Sequence, residues 1–199
     1  MTVAENLLER TVVYRMWQAP FAAQKFAPIL SNNNLRAIRR VLDVGCGPGT
    51  NAQHFAHTGY LGIDVNQRYI QHARRRHGRT FIAADVLDRN AISGNRFDFI
   101  LVNSFLHHLD SNQVGEILSR LRETLSDDGH VHILELVLPE DPSISRLLAR
   151  WDRGKFPRPL AEWRSIFSRY FEPVLFSPYS VGMGASLWNM VYFKGKARA

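Results

Sequence analysis

One short segment restricts the possible folds of this chain more than any other feature. An apolar run at residues 41–44 leads into a turn with three glycines, Gly45, Gly47 and Gly49, and then into a helical pattern. Glycine adopts backbone conformations that other residues avoid, and its missing side chain lets the backbone approach a bound molecule closely. A buried strand followed by such a turn and a helix therefore predicts a nucleotide-binding site in the loop.

The spacing of these glycines counts against a dinucleotide. The dinucleotide fingerprint G-x-G-x-x-G would place its third glycine where this chain has Thr50, and Gly49 comes one residue early. Acidic residues flank the loop, because Asp43 precedes it and Asp64 ends the next apolar run. A carboxylate at the end of a second strand can accept hydrogen bonds from both ribose hydroxyls of a nucleoside.

Short apolar runs alternate with helical patterns from residue 41 onward. The predicted strands lie at residues 41–44, 60–63, 80–83, 97–102 and 130–136. Helices are predicted at residues 50–56, at 67–77 and in the stretch that Asp110 caps, which ends at the turn 127–129. This alternation is typical of an α/β fold with a parallel sheet.

The remaining segments suggest how one domain, residues 1–199, is organised. Residues 1–39 are predicted to form a helical lid and residues 40–137 the cofactor-binding core. Prolines interrupt the next segment, so residues 138–172 are expected to form a cap with helices at 144–153 and 160–171. Apolar runs at 174–176 and 187–193 predict a closing β-hairpin across residues 173–199.

Composition limits the classes of protein and partner. With 199 residues, 45% hydrophobic and 22% charged, the chain fits one soluble globular domain, and no apolar run approaches the roughly 18 residues of a membrane span. Cys46 is the single cysteine, which excludes an internal disulfide and predicts a reducing, cytoplasmic location. The net charge of +7 suggests phosphate-bearing partners. However, no aromatic residues are interleaved with the basic cluster 74–76, which disfavours nucleic acid.

Four segments resemble, in order, the motifs of the class I S-adenosylmethionine-dependent methyltransferases. They are residues 43–49, 62–65, 81–86 and 97–104. The resemblance implies a Rossmann-like sheet of seven strands, six parallel and one antiparallel, with helices on both faces. It also implies S-adenosylmethionine as cofactor and S-adenosylhomocysteine as product. The loop would lie under the methionine part, Asp64 would bind the ribose, and Asp85 with the backbone of Val86 would read the adenine.

The resemblance assigns ten residues to cofactor binding: Asp43, Gly45, Cys46, Gly47, Gly49, Asp64, Val65, Asp85, Val86 and Asn103. Other roles remain open for several of them. Asp43 could brace the turn, Asp64 could cap the helix that follows it, and the nearby Asp88 could replace Asp85. For Cys46, packing of a small residue is favoured over nucleophilic catalysis, because no base lies beside it in the sequence.

Methyl transfer from a sulfonium is an in-line displacement that requires alignment and, for a hydroxyl acceptor, removal of a proton. His107 and His108 follow the fourth strand, and similar pairs occur in family members that act on small molecules. His108 is the candidate proton acceptor, although such histidines more often shape the cofactor or acceptor pocket than act as bases. Adjacent histidines point to opposite sides of an extended chain, so no metal site is predicted. The candidate acceptor-binding residues are Tyr14, Trp17, His107, Trp151, Arg153 and Arg158.

The predicted function is methyl transfer to an oxygen, carbon or carboxylate of a small or medium-sized organic acceptor. Aromatic and cationic residues in the lid and the cap suit an anionic or aromatic acceptor. The segment 103–106 reads Asn-Ser-Phe-Leu and lacks the Pro-Pro-aromatic pattern of the nucleobase and glutamine methyltransferases. Two alternatives remain, an RNA methyltransferase and a noncatalytic regulatory subunit that retains the cofactor pocket.

Overall fold

The computed structural model describes residues 21–88, 90–92, 94–142, 144–151, 155–182 and 187–198, and for residues 144, 150 and 151 it describes the backbone alone. Seven strands are present in this part of the chain: β1 (Arg40–Val44), β2 (Gly59–Asp64), β3 (Thr80–Ala83), β4 (Phe97–Asn103), β5 (Leu125–Val137), β6 (Phe171–Val181) and β7 (Trp188–Ala197). They form one sheet in the order β3-β2-β1-β4-β5-β7-β6.

The sheet is mixed. Strands β1 to β5 pair in parallel, whereas β7 runs antiparallel to both of its neighbours, β5 and β6. The predicted closing hairpin is therefore present at one edge of the sheet. Parallel strands present their carboxyl ends along the same edge, so the residues that follow β1, β2, β3 and β4 come together there.

Among the described residues, five α-helices accompany the strands: α1 (Ala22–Asn32), α2 (Gln67–His77), α3 (Ser111–Thr124), α4 (Ile144–Trp151) and α5 (Leu160–Tyr170). Local sequence explains several boundaries. The Asn66 side chain caps α2, which ends at Gly78 with a φ of 55°. Asp110 and Gln113 form a reciprocal capping box at the start of α3.

Three sequence-based boundaries are corrected. The segment 50–56 contains only a short 3-10 turn, Ala52–Phe55, instead of the predicted helix. Strand β5 begins at Leu125, where the helix was expected to continue. Strand β6 is 11 residues long and includes Pro173 and Pro178. Proline is tolerated there because β6 is an edge strand, where one row of backbone groups needs no ladder partner.

The core has a layer on each face of the sheet. Along β4, Ile100 and Val102 belong to a cluster with residues of α3 and α5, and Phe99 and Leu101 belong to a cluster with residues of α1 and α2. Successive side chains of a strand point to opposite faces, so helices cover both faces. Within the described ranges, no helix has the length and apolar character needed to cross a membrane.

Candidate functional site

The glycine-rich loop after β1 lies against the end of β2. The backbone N–H groups of Gly45 and Cys46 donate to the carbonyl of Ile63 at 2.9 and 3.1 Å. Gly47 has a φ of 54°, and a Cβ atom at this position would meet no atom within 4 Å. At Gly49, by contrast, a Cβ would lie 2.9 Å from Phe81. Gly49 is therefore needed for packing, and Gly47 leaves backbone beside open space.

Asp64 anchors this loop through both carboxylate oxygens. Its Oδ2 accepts from the Gly47 N–H at 2.9 Å, and its Oδ1 accepts from the Asn66 N–H at 2.7 Å. A carboxylate has about four acceptor positions, so two remain for a ligand. The alternative role as a helix cap does not apply, because the Asn66 side chain caps α2.

A cleft extends from the loop across the ends of β2 and β3. It is lined by Val44, Gly45, Ile63, Asp64, Val65, Ala84, Asp85, Val86 and Phe105. We call it the cofactor cleft. The side chain of Val65 is 72% exposed, which is unusual for valine and leaves an apolar surface on the cleft. Asp85 lines the cleft and Asp88 does not, which favours Asp85 between the two.

Asp43 is fully buried beneath the loop. Its Oδ2 accepts from the Tyr60 hydroxyl at 2.6 Å and from the Asn51 Nδ2 at 3.3 Å, whereas its Oδ1 has no hydrogen-bond partner. Burial raises the pKa of Asp43 to about 7, and the hydrogen bonds from Tyr60 and Asn51 act in the opposite direction. Sequence reasoning missed both partners, although a tyrosine within the apolar run of β2 was a signal.

The hydrogen bonds continue to the end of β4. Asn103 donates from Nδ2 to the Asn51 Oδ1 at 3.4 Å, and the Ser104 hydroxyl donates to the Asn103 Oδ1 at 3.3 Å. Ser104 has a φ of 52°, the one positive φ among the described residues other than glycine. Backbone strain of this kind concentrates at functional sites. The predicted residues Asp43 and Asn103 are thus joined through Asn51.

Cys46 is buried inside the loop, and its Sγ would lie 2.9 Å from a Cβ placed on Gly62. Burial raises the pKa of the thiol, and the neighbouring Asp43 and Asp64 raise it further. The thiol is therefore protonated, which agrees with packing and not with nucleophilic catalysis.

The predicted histidine pair lies in a 3-10 turn, Leu106–His108, which we call the β4 turn. His107 is buried and pairs through Nδ1 with the Glu135 Oε1, whereas His108 is exposed, with its ring centroid 4.2 Å from that of His107. Glu135 is 0% exposed and also accepts from the backbone N–H groups of Leu106 and Leu136 at 2.8 and 2.9 Å.

Glu135 is the residue of the candidate site that the sequence analysis missed most clearly. Burial by itself raises the pKa of its carboxyl, but the His107 charge and the hydrogen bonds together hold that pKa below its ordinary value. An anionic Glu135 therefore fixes the β4 turn to β5. The available signal was a single acid within the apolar strand 130–136.

The structure corrects the role expected for Arg158. Its side chain is only 4% exposed, and its guanidinium donates to the Leu109 carbonyl at 2.9 Å and contacts Glu162 at 3.2 Å. It also lies 4.9 Å from the Trp163 ring centroid. Since its guanidinium is taken up by protein partners, Arg158 joins the cap to the start of α3 and is not directed toward an acceptor as expected.

The other predicted acceptor residues are not brought together by the described part of the structure. Tyr14, Trp17 and Arg153 lie outside the described residues, as does the side chain of Trp151 at the end of α4. His107 is described, and its carbonyl accepts from the Phe156 N–H at 3.0 Å, which places the cap directly on the β4 turn.

Comparison with known proteins relates this geometry to a family. Residues 41–129, which contain the loop, the cofactor cleft and the β4 turn, match the family model described as a methyltransferase domain. The fold resembles the N-methyltransferase NodS from Bradyrhizobium japonicum WM9 in complex with S-adenosyl-L-homocysteine, with a TM-score of 0.67 and 18% identity over 93% of this chain and 87% of that chain. Residues 41–129 thus resemble a methyltransferase domain, and the chain shares the fold of the compared structure.

Further comparisons give similar matches. A SAM-dependent methyltransferase from Methanosarcina mazei gives a TM-score of 0.70 at 18% identity, over 86% of this chain and 98% of that chain. Trans-aconitate 2-methyltransferase from Methylobacterium nodulans is 31% identical over 129 residues, which is 62% of this chain and 48% of that protein. The chain spans about half the length of the curated relatives it matches.

The residues of the matched segment 41–129 fit S-adenosylmethionine, the cofactor that the resemblance to class I methyltransferases implies. The orphaned Asp43 Oδ1, the open space beside Gly47 and the two remaining acceptor positions on Asp64 supply partners for an ammonium group and a ribose. Among the described residues, no group of three or more His, Cys, Asp or Glu side chains is arranged to hold a metal ion.

Proposed function

We propose that this protein transfers the methyl group of S-adenosylmethionine to a small organic acceptor bound beside the β4 turn. The observation that carries the proposal is the cofactor cleft, in which Asp64 keeps two acceptor positions while it holds the Gly47 backbone. In this arrangement one carboxylate both shapes the loop and binds the ribose hydroxyls.

The remaining predicted residues complete the cofactor site in our proposal. Asp85 accepts from the adenine amino group, the Val86 backbone reads the ring, and the exposed Val65 packs on the ring face. Asp43 faces the ammonium group of the methionine part with Oδ1, the atom that has no protein partner. Charge-assisted hydrogen bonds of this kind are about twice as strong as neutral ones.

The bound cofactor supplies an electrophilic methyl group on a sulfonium sulfur. The protein then has to align the acceptor and, where the acceptor is a hydroxyl, remove its proton. We assign the second task to His108, because it is exposed on the β4 turn. The buried pair of His107 and Glu135 holds that turn in place.

An organic acid is the acceptor class that we propose to test first. The net charge of +7 favours anions, and the exposed Lys155 lies next to Phe156, which bonds to the β4 turn. The relative from Methylobacterium nodulans is named for a carboxylate-bearing acceptor.

We also propose that residues 40–137 form the core and residues 138–172 the cap of one domain. The single cysteine, Cys46, supports a reducing, cytoplasmic location.

The alternative of an RNA methyltransferase loses part of its basis. Arg74 donates to the Phe81 carbonyl at 2.9 Å through Nε, and Arg79 donates to the Thr58 carbonyl at 2.9 Å. Arg74 of the basic cluster and the nearby Arg79 therefore bind backbone carbonyls of the protein, which leaves fewer guanidinium donors for RNA phosphates.

The test is turnover with methyl-labelled S-adenosylmethionine. The purified protein is incubated with a metabolite extract, with a panel of organic acids and with total RNA. Label in the small-molecule fraction is the expected result, and the Asp64→Ala variant should lose it. Label confined to RNA would establish the alternative acceptor, and binding of S-adenosylhomocysteine without any transfer would indicate a noncatalytic subunit.

A further inference from the structure

A buried hydrogen-bonded group beneath the loop has a feature that the family motifs do not explain. Asp43 receives two side-chain hydrogen bonds, from Tyr60 and Asn51, and both reach the same oxygen, Oδ2. The other oxygen, Oδ1, is buried and has no partner. A buried carboxylate oxygen without a partner is energetically costly, so a natural protein retains one where something else binds it.

The two donors hold the carboxylate in a defined orientation. The Tyr60 hydroxyl lies 2.6 Å from Oδ2, and Tyr60 is itself fixed in the core by Phe55 and Phe81, whose ring centroids lie 6.1 and 5.5 Å from that of Tyr60. Asn51 approaches the same oxygen from the loop side at 3.3 Å. With Oδ2 held by two donors, the carboxylate cannot rotate without breaking them, and Oδ1 keeps its direction.

We propose that Tyr60 and Asn51 are positioning residues that keep Asp43 ionised and oriented to bind the ammonium group of the cofactor's amino-acid part. This inference rests on the proposed function, because it requires the cofactor to lie on the loop. Neither residue touches the cofactor in our proposal. Both act through Asp43, and their effect is confined to ligands that carry the amino acid.

Burial and charge both act against an ionised Asp43, so hydrogen bonds are needed to stabilise the carboxylate. Burial and the nearby Asp64 both disfavour the ionised form, and the buried thiol of Cys46 in the loop contributes no charge. Tyr60 and Asn51 provide the opposing hydrogen bonds, and the cation near Tyr60 is Arg79. Since the pKa of Asp43 is about 7, removing one donor should lower the ionised fraction at neutral pH.

The experiment compares two ligands by titration calorimetry, S-adenosylhomocysteine and 5′-methylthioadenosine, which lacks the amino-acid part. Tyr60→Phe should weaken S-adenosylhomocysteine binding about tenfold at pH 7 and leave 5′-methylthioadenosine binding unchanged. The loss should shrink as the pH rises, because a higher pH ionises Asp43 again. The pH below which affinity falls should move up by about one unit.

The matched control is Tyr192→Phe. This tyrosine is also buried and hydrogen-bonded, to His132 at 2.8 Å, but it lies on β7, which β4 and β5 separate from β1. It should leave both affinities unchanged. Asn51→Ala provides a second variant, and it should act in the same direction by about threefold because its bond to Asp43 is longer.

Three outcomes overturn the inference. Equal loss of both ligands in Tyr60→Phe would show general damage to the cleft. An affinity for S-adenosylhomocysteine that neither variant changes would remove the positioning role, and so would a loss that is the same at every pH. If the native protein binds neither ligand, the proposed function itself fails, and that result is separate from the other three.

Discussion

Replacing Asp64 with alanine is the perturbation that the structure defines most sharply. The change removes the acceptor that we assign to both ribose hydroxyls, so the affinity for S-adenosylhomocysteine should fall by about 1.5 to 3 kcal/mol, or roughly ten- to hundredfold. It also removes the partner of the Gly47 and Asn66 N–H groups, at 2.9 and 2.7 Å. We expect this second effect to lower the free energy of unfolding by about 1 to 2 kcal/mol.

The chain offers a matched control for the structural part of this effect. Asp98 also accepts from two backbone N–H groups, those of Arg39 and Arg40, each at 2.8 Å. However, it lies near the amino ends of the parallel strands, away from the cofactor cleft at their carboxyl ends. Asp98→Ala should lower stability similarly and leave the affinity unchanged. Calorimetric titration with thermal unfolding measures both quantities. An unchanged affinity in Asp64→Ala would refute the ribose assignment, and tight binding of NAD by the native protein would refute the proposed cofactor.

Three further predictions concern other residues. His108→Asn should lower the maximal rate about a hundredfold with nearly unchanged cofactor affinity. A normal rate in this variant would show that His108 is not the base and that catalysis rests on alignment of the acceptor with the methyl group. Arg158→Ala should lower the free energy of unfolding by about 2 to 4 kcal/mol, whereas a raised acceptor KM with unchanged stability would restore its predicted role in acceptor binding. Burial holds the pKa of His132 well below its ordinary value. As the pH falls below about 6.5, His132 is therefore protonated in the unfolded chain but stays neutral in the folded protein. Stability should therefore decrease with falling pH by up to about 1.4 kcal/mol per unit, and denaturant unfolding of His132→Leu should show a shallower slope than the native protein.

The sequence predicted the elements that local patterns determine. Helix α2 has the predicted bounds because Asn66 caps it and Gly78 ends it in a left-handed conformation. The acids Asp64 and Asp85 follow strands of a parallel sheet, so their place at the carboxyl edge followed from the alternation of strands and helices. The family motifs lie within the matched residues 41–129.

Features that depend on contacts between distant segments escaped the sequence analysis. The partners Tyr60 and Glu135 come from β2 and β5, and nothing local indicates which acid or histidine they meet. Arg158 was interpreted from its basic neighbours, but its burial depends on how the cap packs against α3. The length of strand β6 was underestimated, because an edge strand tolerates prolines that a central strand excludes.

The most direct measurement of the central claim is a crystal structure of the protein with S-adenosylhomocysteine. Our account predicts ribose hydroxyls within about 3 Å of the Asp64 carboxylate, the adenine beside Asp85 and Val86, and the ammonium group on the Asp43 Oδ1. The sulfur should lie at the carboxyl end of β4, facing the β4 turn. A ligand bound outside the cofactor cleft, or a ribose without contact to Asp64, would contradict the account.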